Sequence, residues 1–238
     1  MIKAERVEVW GFEHAVRGMR NPFNSWDKSD SFKCDGIGCY FESCPFYNRD
    51  IEGCNYDCNY EGVYIVGKND LELMKKLIKA GSSHRKFLRQ IFVSMDIIAP
   101  FYWWKEFDTY KVGTVANSCS TMHTIHKKEF TLDDFSHEHL DIRTIEVLKN
   151  IIKILNDYRA LYENYNADDF EIKGCPSQKD IWWQIIQLLP SSYNQKRTVT
   201  MSYENVFNII GQRASHKLDE WVDFVSALRD LPYVKKLM

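Results

Sequence analysis

The feature that most constrains the fold is a long apolar repeat in the second half of the chain. Apolar residues recur there at intervals of three or four positions, which places them on one face of an α-helix. They are Ile145, Leu148, Ile152 and Leu155, and the stripe is extended by Ile151, Tyr158 and Tyr162. We therefore predict a helix over 141–165 whose apolar face belongs to the core and does not line a cofactor site.

A switch from strand to helix is predicted near the C-terminus. Polar and apolar residues alternate over 197–203, as in a half-buried strand. Ser202 is placed to cap a helix that begins at Tyr203, and Glu204 in its first turn suits the helix dipole. Three amides form a polar stripe on this helix: Asn205, Asn208 and Gln212. That stripe is either a face that meets a polar ligand or an interface, or an ordinary solvated face.

Shorter patterns complete the element order. Strands are predicted over 6–12, 63–66 and 92–98, and helices over 13–19, 70–80, 181–189 and 218–228. The fold class is therefore α/β (α+β), with a mixed sheet and a helix-rich second half. A chain of 238 residues is long enough to bury a full core. We expect a single domain over 1–238, with a cysteine-rich loop or insertion at about 24–61.

Charge and hydropathy argue against several classes of protein. The formal net charge is −2, so no basic field favours nucleic acid. The longest apolar runs, such as 181–190, are too short to cross a bilayer. The first six residues carry charge where a signal peptide needs an apolar core. We expect a soluble, cytoplasmic protein that binds neither nucleic acid nor membrane.

Five of the seven cysteines lie in one short segment with the spacing C-x4-C-x4-C-x9-C-x3-C: Cys34, Cys39, Cys44, Cys54 and Cys58. Thiolates gathered this closely are able to hold zinc or an iron–sulfur cluster. The spacing lacks the paired C-x2-C knuckles of zinc ribbons. Two interpretations stay open: a metal site on these five cysteines, and reduced cysteines in a loop.

The stretch 101–123 joins a run of aromatic and charged residues, including Trp103 and Trp104, to a run of small polar ones. Rigid rings followed by hydroxyl and amide groups are typical of small-molecule pockets. A buried aromatic helix followed by a capped loop explains the same residues, and both interpretations stay open. Lys111, Arg197 and Arg213 are the cations that we expect on a phosphate, because Arg in particular offers a planar fork of donors.

The C-terminal third resembles the flavin-dependent thymidylate synthases. Leu189-Pro190, Tyr193, Thr200 and Ser202-x5-Asn208-x4-Arg213 are similar to that family's Leu-Pro strand and to its helix ending in an Asn and an Arg. Near the N-terminus, a strand to Phe12 followed by Glu13-His-Ala-Val-Arg17 is similar to the family's first strand and helix. Gly81-Ser-Ser-His84 lies where the family has a Gly-His-x-Ser turn.

The family's signature, R-H-R-x7-S-x-R, falls on the stretch 101–123 and is degenerate here. Asn117-Ser-Cys-Ser120 resembles its Asn-Glu-x-Ser segment. Where R-H-R is expected, the chain has Tyr110-Lys-Val112 by counting back, or Phe107-Asp-Thr109 if a small insertion is allowed. Met122-His123 replaces its last Arg-Tyr pair, and the arginine before Leu-Pro is absent. The resemblance is stronger for the fold than for the active site.

The resemblance implies a thymidylate synthase-complementing-protein-like fold and a homotetramer whose sites, shared between subunits, bind FAD and dUMP. In the family, reduced flavin and methylenetetrahydrofolate methylate dUMP, with NADPH as reductant. Carried over to this chain, the catalytic residues would be Ser120 and Arg213; the nucleotide-binding residues Lys111, Ser118, Ser120, Arg197 and Arg213; and the cofactor-binding residues His84, Asn208 and Trp104. The alternative is a protein of this fold that binds a nucleotide or a partner without catalysis.

Overall fold

The computed structural model describes residues 2–34, 62–166 and 176–238. The strands are β1 Lys3–Trp10, β2 Phe32–Lys33, β3 Tyr64–Ile65, β4 Phe92–Pro100, β5 Thr114–Ser118 and β6 Asn194–Ser202. The helices are α1 Phe12–Arg20, α2 Lys68–Lys79, α3 Phe101–Phe107, α4 Thr121–Thr124, α5 Ile142–Glu163, α6 Gln178–Leu188, α7 Tyr203–Arg213, α8 Asp219–Arg229 and α9 Val234–Leu237. The predicted combination of helices and strands is confirmed. Within these ranges, no helix combines the length and the hydropathy that a bilayer span requires.

The longer strands form a sheet in the order β1-β4-β6-β5, and β2 pairs with β3 antiparallel. Neither interpretation of the stretch 101–123 included a strand, but residues Thr114–Ser118 form β5 at the edge of this sheet. Four of its five residues are exposed to solvent. An edge strand with no buried side needs no apolar alternation, and alternation was the signal on which the sequence prediction depended.

The chain forms two compact units. The first comprises Met1–Glu5, Asp96–Lys111 and Ala116–Val199, and the second comprises Arg6–Met95, Val112–Val115 and Thr200–Met238. In the first unit, α5 is confirmed as a core helix, since Leu148, Ile152 and Leu155 are buried. Asp141 caps it by accepting hydrogen bonds from the backbone amides of residues 143 and 144.

In the second unit, the predicted cap of α7 is confirmed. The Ser202 hydroxyl oxygen accepts a hydrogen bond from the Asn205 amide, and the helix begins at Tyr203. The ring of Tyr203 is fully buried, its hydroxyl donates to the Pro232 carbonyl at 3.0 Å, and burial raises its pKa. Trp221 on α8 is also fully buried. These large rings make the C-terminal helices part of the core of this unit.

A buried carboxylate joins α1 and α2 to the segment that precedes β2. Asp70 is 0% exposed and accepts from Arg20 Nε at 2.6 Å. The hydroxyls of Ser29 and Ser31 donate to its other oxygen at 2.7 and 2.6 Å. The backbone amides of residues 30 and 31 donate to that same oxygen at 3.2 Å. So many donors keep the carboxylate charged although it is buried.

Two glycines of the second unit give a matched test of local packing. Gly113 has φ +81°, and a Cβ there would lie 2.7 Å from Asn205 Oδ1. Gly211, in α7, has open space at the same position. We expect Gly113→Ala to destabilise the protein by about 1–2 kcal/mol, because of backbone strain and the displaced amide. Gly211→Ala is expected to stabilise it by up to about 1 kcal/mol.

Urea denaturation followed by tryptophan fluorescence measures both variants. Equal changes in the free energy of unfolding for the two variants would contradict the positive φ and the close packing at Gly113.

Candidate functional site

The aromatic half of the stretch 101–123 is a core helix. Trp103 and Trp104 on α3 are 0% and 1% exposed, and Phe107 stacks on Trp103 with ring centroids 5.1 Å apart. The Trp104 indole N–H donates to the Gln195 carbonyl at 2.9 Å. Of the two interpretations of these rings, the structure favours the buried helix.

Arg197 covers the ring of Trp104, the aromatic residue that was predicted to bind a cofactor. Its guanidinium lies 4.3 Å from the centroid of Trp104, within cation–π range. It also donates to Gln195 Oε1 at 2.9 Å and to Asp108 Oδ1 at 3.0 Å. A ligand reaching this place would meet the guanidinium and not the indole. A phosphate on Arg197 would compete with Asp108, whose side chain is 46% exposed.

The predicted nucleotide-binding serines lie at and just after the end of β5. Ser118 is the last residue of the strand and is exposed. The Ser120 hydroxyl accepts from the His123 amide at 3.2 Å and so caps α4. Cys119, between the two serines, is tied to β6: its amide donates to the Lys196 carbonyl at 3.0 Å. Lys111 is exposed after the 3-10 turn Asp108–Tyr110.

Ser120 and Cys119 line a small cavity of about 170 Å³ together with Lys128, Tyr193 and Lys196. Lys128 pairs with Asp134 at 2.9 Å, and Lys196 pairs with Asp96 at 2.9 Å. Both lysines are thus already neutralised by carboxylates.

Two side chains of this cavity have shifted pKa values. Burial alone would raise the pKa of Asp134, but hydrogen bonds from Lys128 and Thr131 outweigh it, and the pKa is lowered. The pKa of the Tyr193 phenol is raised, first by burial and then by the nearby Asp134 carboxylate. Tyr193 is therefore a neutral hydrogen-bonding group at physiological pH.

In the second unit, α7 and the turn before β4 hold a cluster of hydrogen-bonded polar side chains. Arg85 donates to Glu204 Oε1 from Nε at 3.1 Å and from Nη2 at 2.9 Å. Its Nη2 also donates to Asn208 Oδ1 at 3.1 Å. His84, beside it, is exposed, and its amide donates to the Gly81 carbonyl at 3.0 Å. Of the predicted cofactor residues, Asn208 is held by Arg85, whereas His84 is only its neighbour in the chain.

The amide stripe on α7 is divided between two environments. Asn205 is buried, and its Nδ2 donates to the Val112 carbonyl at 2.7 Å. Asn208 is half-buried against Arg85, whereas Gln212 is exposed. At the end of the same helix, the Arg213 guanidinium lies 4.7 Å from the ring centroid of Trp221.

Arg85 and Glu204 are functional candidates that the sequence interpretation missed. Glu204 and Asn208 are four residues apart on α7, so one face of the helix presents a carboxylate and an amide to the same cation. This four-residue spacing is the sequence pattern from which the pairing of Glu204 and Asn208 on one face was predictable. Arg85 is 119 residues from Glu204 in the chain, and no local pattern connects them.

The metal interpretation falls almost entirely outside the described residues. Cys39, Cys44, Cys54 and Cys58 lie there, and only Cys34 of the five is described. Cys34 is buried, and its amide donates to the Val63 carbonyl at 2.8 Å. Across residues 2–34, 62–166 and 176–238, the structure holds no group of three or more His, Cys, Asp or Glu side chains that suits a metal. The zinc prediction therefore stays a prediction.

Comparison with known proteins shows the fold. No protein-family model matches the chain, and no curated protein sequence matches it. Two solved structures of flavin-dependent thymidylate synthase ThyX from Helicobacter pylori, both with FAD and dUMP, match over nearly the whole length. One has a TM-score of 0.60 at 16% identity, covering 98% of this chain and 96% of its own. The other has a TM-score of 0.59 at 14% identity, covering 99% and 96%. The chain therefore shares the fold of these enzymes.

Proposed function

We propose that this protein is a divergent flavin-dependent thymidylate synthase that carries out reductive methylation of dUMP or a related C1 transfer to a pyrimidine nucleotide. The observation that carries the proposal is a fold match over 98% of the chain to an enzyme solved with FAD and dUMP. Methylenetetrahydrofolate is the carbon donor in this proposal. When bound, FAD reduced by NADPH would supply the electrons. Fold alone does not give function, so the donors of the chain must fit these ligands.

The cluster around Arg85 fits a flavin cofactor. Glu204 and Asn208 hold Nε and Nη2 of Arg85, and among the described residues none accepts from its Nη1. An oriented guanidinium with free N–H groups is suited to a diphosphate. Asn208 and His84 stand beside it as further polar contacts. The other carboxylate oxygen of Glu204 is buried with no hydrogen-bond partner in the described part of the chain, and a ligand hydroxyl would satisfy it.

The nucleotide side of the proposal rests on Arg213, Lys111, Ser118 and Ser120. Arg213 and Lys111 would bind the phosphate, and the serines would position the sugar and the base. Ser120 and Arg213 are the proposed catalytic residues. The homotetramer with sites shared between subunits belongs to the same proposal.

The first test is the visible absorption spectrum of the purified protein with FAD added and dUMP titrated in. We expect FAD to bind and its band to shift when dUMP binds. Product formation is then followed chromatographically with NADPH and methylenetetrahydrofolate present. No FAD uptake at saturating cofactor would reject the proposal.

Arg213→Ala is expected to weaken dUMP binding about 10- to 100-fold, the loss typical of one charged hydrogen bond to phosphate. Arg229→Ala is the matched control, because Arg229 ends α8 and is exposed. Equal dUMP affinities of the two variants would remove Arg213 from the site.

A second candidate is a nucleotide-binding protein of the same fold without catalysis. Two observations favour it. Arg197 is hydrogen-bonded to Asp108, and residues 110–112 lack the R-H-R motif of the family. Binding of FAD and dUMP without product would select it.

A further inference from the structure

A cavity of about 410 Å³, which we call the α1 cavity, lies beside the start of α1. Its lining comes from the end of β1, the first turn of α1, strands β2 and β3, and the turn before α9. All of these lining residues belong to the second unit. The volume lies within the range of pockets that take small molecules. None of the described residues that line it is assigned above to the flavin or to the nucleotide.

Aromatic rings form the inner wall of the α1 cavity. Phe12 and Tyr233 are 7% and 3% exposed, and their ring centroids lie 5.2 Å apart in an edge-on arrangement. The Tyr233 hydroxyl oxygen accepts from the Val66 amide at 2.9 Å, which fixes this ring. Trp10 is 42% exposed, although its ring stacks on Phe92 with centroids 5.9 Å apart. A planar aromatic ligand would therefore meet ring surface that the protein leaves open.

An ion pair lies at the mouth of the α1 cavity. Lys33 Nζ and Glu13 Oε2 are 3.2 Å apart, and the two side chains are 64% and 46% exposed. Lys33 is held by its pairing with Tyr64 across β2 and β3, and directly opposite residues of an antiparallel pair project from the same face. The buried rings lie inside and the exposed charges outside. The cavity is therefore apolar at its base and dipolar at its entrance.

The ion pair determines which ligand charge fits. A carboxylate that approaches Lys33 also approaches Glu13, and an ammonium that approaches Glu13 also approaches Lys33, so a ligand with a single charge gains little. A ligand that carries both charges side by side makes two attractive contacts when its dipole runs opposite to that of the ion pair. The ammonium and the carboxylate of an α-amino acid are attached to one carbon, so they are held about as close together as the two charges of the ion pair.

We propose that the α1 cavity binds a free aromatic α-amino acid. Its ring lies on Trp10 and against the edges of Phe12 and Tyr233. Its carboxylate pairs with Lys33 and its ammonium with Glu13. This site is separate from the flavin and nucleotide residues, so its ligand is tested without either of them, and the result does not depend on synthase activity.

Isothermal titration calorimetry of the full chain with L-tryptophan and L-phenylalanine measures binding. We expect a dissociation constant of about 1 mM or lower, as is usual for a small ligand in a preformed pocket. The compound 3-indolepropionate lacks the ammonium of L-tryptophan, and tryptamine lacks its carboxylate. Each is expected to bind about tenfold more weakly than L-tryptophan.

Two variants remove one charge each from the mouth of the cavity. Lys33→Met is expected to weaken L-tryptophan binding about tenfold and to leave tryptamine binding unchanged or tighter. Glu13→Gln is expected to weaken L-tryptophan binding equally and to leave 3-indolepropionate binding unchanged or tighter. Lys79→Met is the matched control, because Lys79 is exposed at the end of α2, outside the cavity lining. A loss of structure would weaken all three ligands alike, so this pattern separates a lost contact from a lost fold.

A third variant tests the aromatic wall. Trp10→Ala removes ring surface that all three indole ligands share, and we expect each of them to bind at least about threefold more weakly. Trp26→Ala is the matched control, because Trp26 is 52% exposed in the same unit and lies outside the cavity lining.

Four results would each overturn the proposal. One is no binding of either amino acid at about 10 mM. Another is 3-indolepropionate or tryptamine binding as tightly as L-tryptophan, which would assign the cavity to a singly charged ligand. The others are equal L-tryptophan affinities of Lys33→Met and Lys79→Met, and equal affinities of Trp10→Ala and Trp26→Ala.

Discussion

Replacing Asp70 with asparagine is expected to lower the free energy of unfolding by about 3–5 kcal/mol, the usual cost of breaking a buried ion pair from one side. Asp70 is 0% and Arg20 is 6% exposed, so the guanidinium would lose its countercharge away from water. The new amide nitrogen would also face groups that themselves donate. Urea denaturation followed by tryptophan fluorescence measures the change.

Glu72→Gln is the matched control for this variant. Glu72 lies on the same helix, two residues away, and is exposed, so its substitution is expected to change stability by less than about 0.5 kcal/mol. A similar small change in Asp70→Asn would show that the hydrogen bonds around Asp70 are replaceable by water.

The same carboxylate predicts a dependence of stability on pH. Burial alone would raise the pKa of Asp70, but hydrogen bonds from Ser29, Ser31 and Arg20 outweigh it, and the pKa is lowered from its ordinary value of 3.8. A group with a lowered folded pKa contributes its full stability above the unfolded pKa and loses it as pH falls through the folded pKa. The stability difference between wild type and Asp70→Asn should therefore be constant above about pH 5 and shrink below about pH 4. A constant difference down to pH 3 would contradict this role.

The sequence predicted best those elements whose signal is local. The repeat in α5 and the Ser202 cap of α7 are set by residues within one or two turns, and both are confirmed. Strand β5 was missed because an exposed edge strand has no apolar side to reveal it. Its position depends on pairing with β6, which is distant in the sequence. Just after β5, for example, the Cys119 carbonyl accepts from Gln195 Nε2, 76 residues later.

The candidate site was less predictable because its contacts join distant segments. Asn208 was singled out from the sequence, but the Arg85 that it binds is 123 residues earlier. The α1 cavity is the same case, since its inner wall joins Phe12 to Tyr233, near the other end of the chain.

Trp104 is the residue for which sequence and structure give the most different roles. Trp104 was predicted to bind a cofactor, whereas its ring is 1% exposed in the core of the first unit. It packs edge-on to Trp103, with centroids 4.9 Å apart, and its N–H satisfies the Gln195 carbonyl. We therefore expect Trp104→Ala to lower the free energy of unfolding by about 3–5 kcal/mol, the range for large-to-small changes of buried aromatics.

Trp183→Ala is the matched control, because Trp183 is 39% exposed on α6, and its loss is expected to cost less than about 1 kcal/mol. Trp104→Phe separates the two roles of Trp104, since it retains most of the apolar volume but removes the donor to Gln195. If the ring is purely a core element, this variant keeps its FAD affinity while losing about 1–3 kcal/mol of stability, because a buried carbonyl is left unsatisfied. A variant that stays fully stable but loses FAD affinity would instead place the indole against the cofactor, and the guanidinium of Arg197 would have to move off the ring when FAD binds.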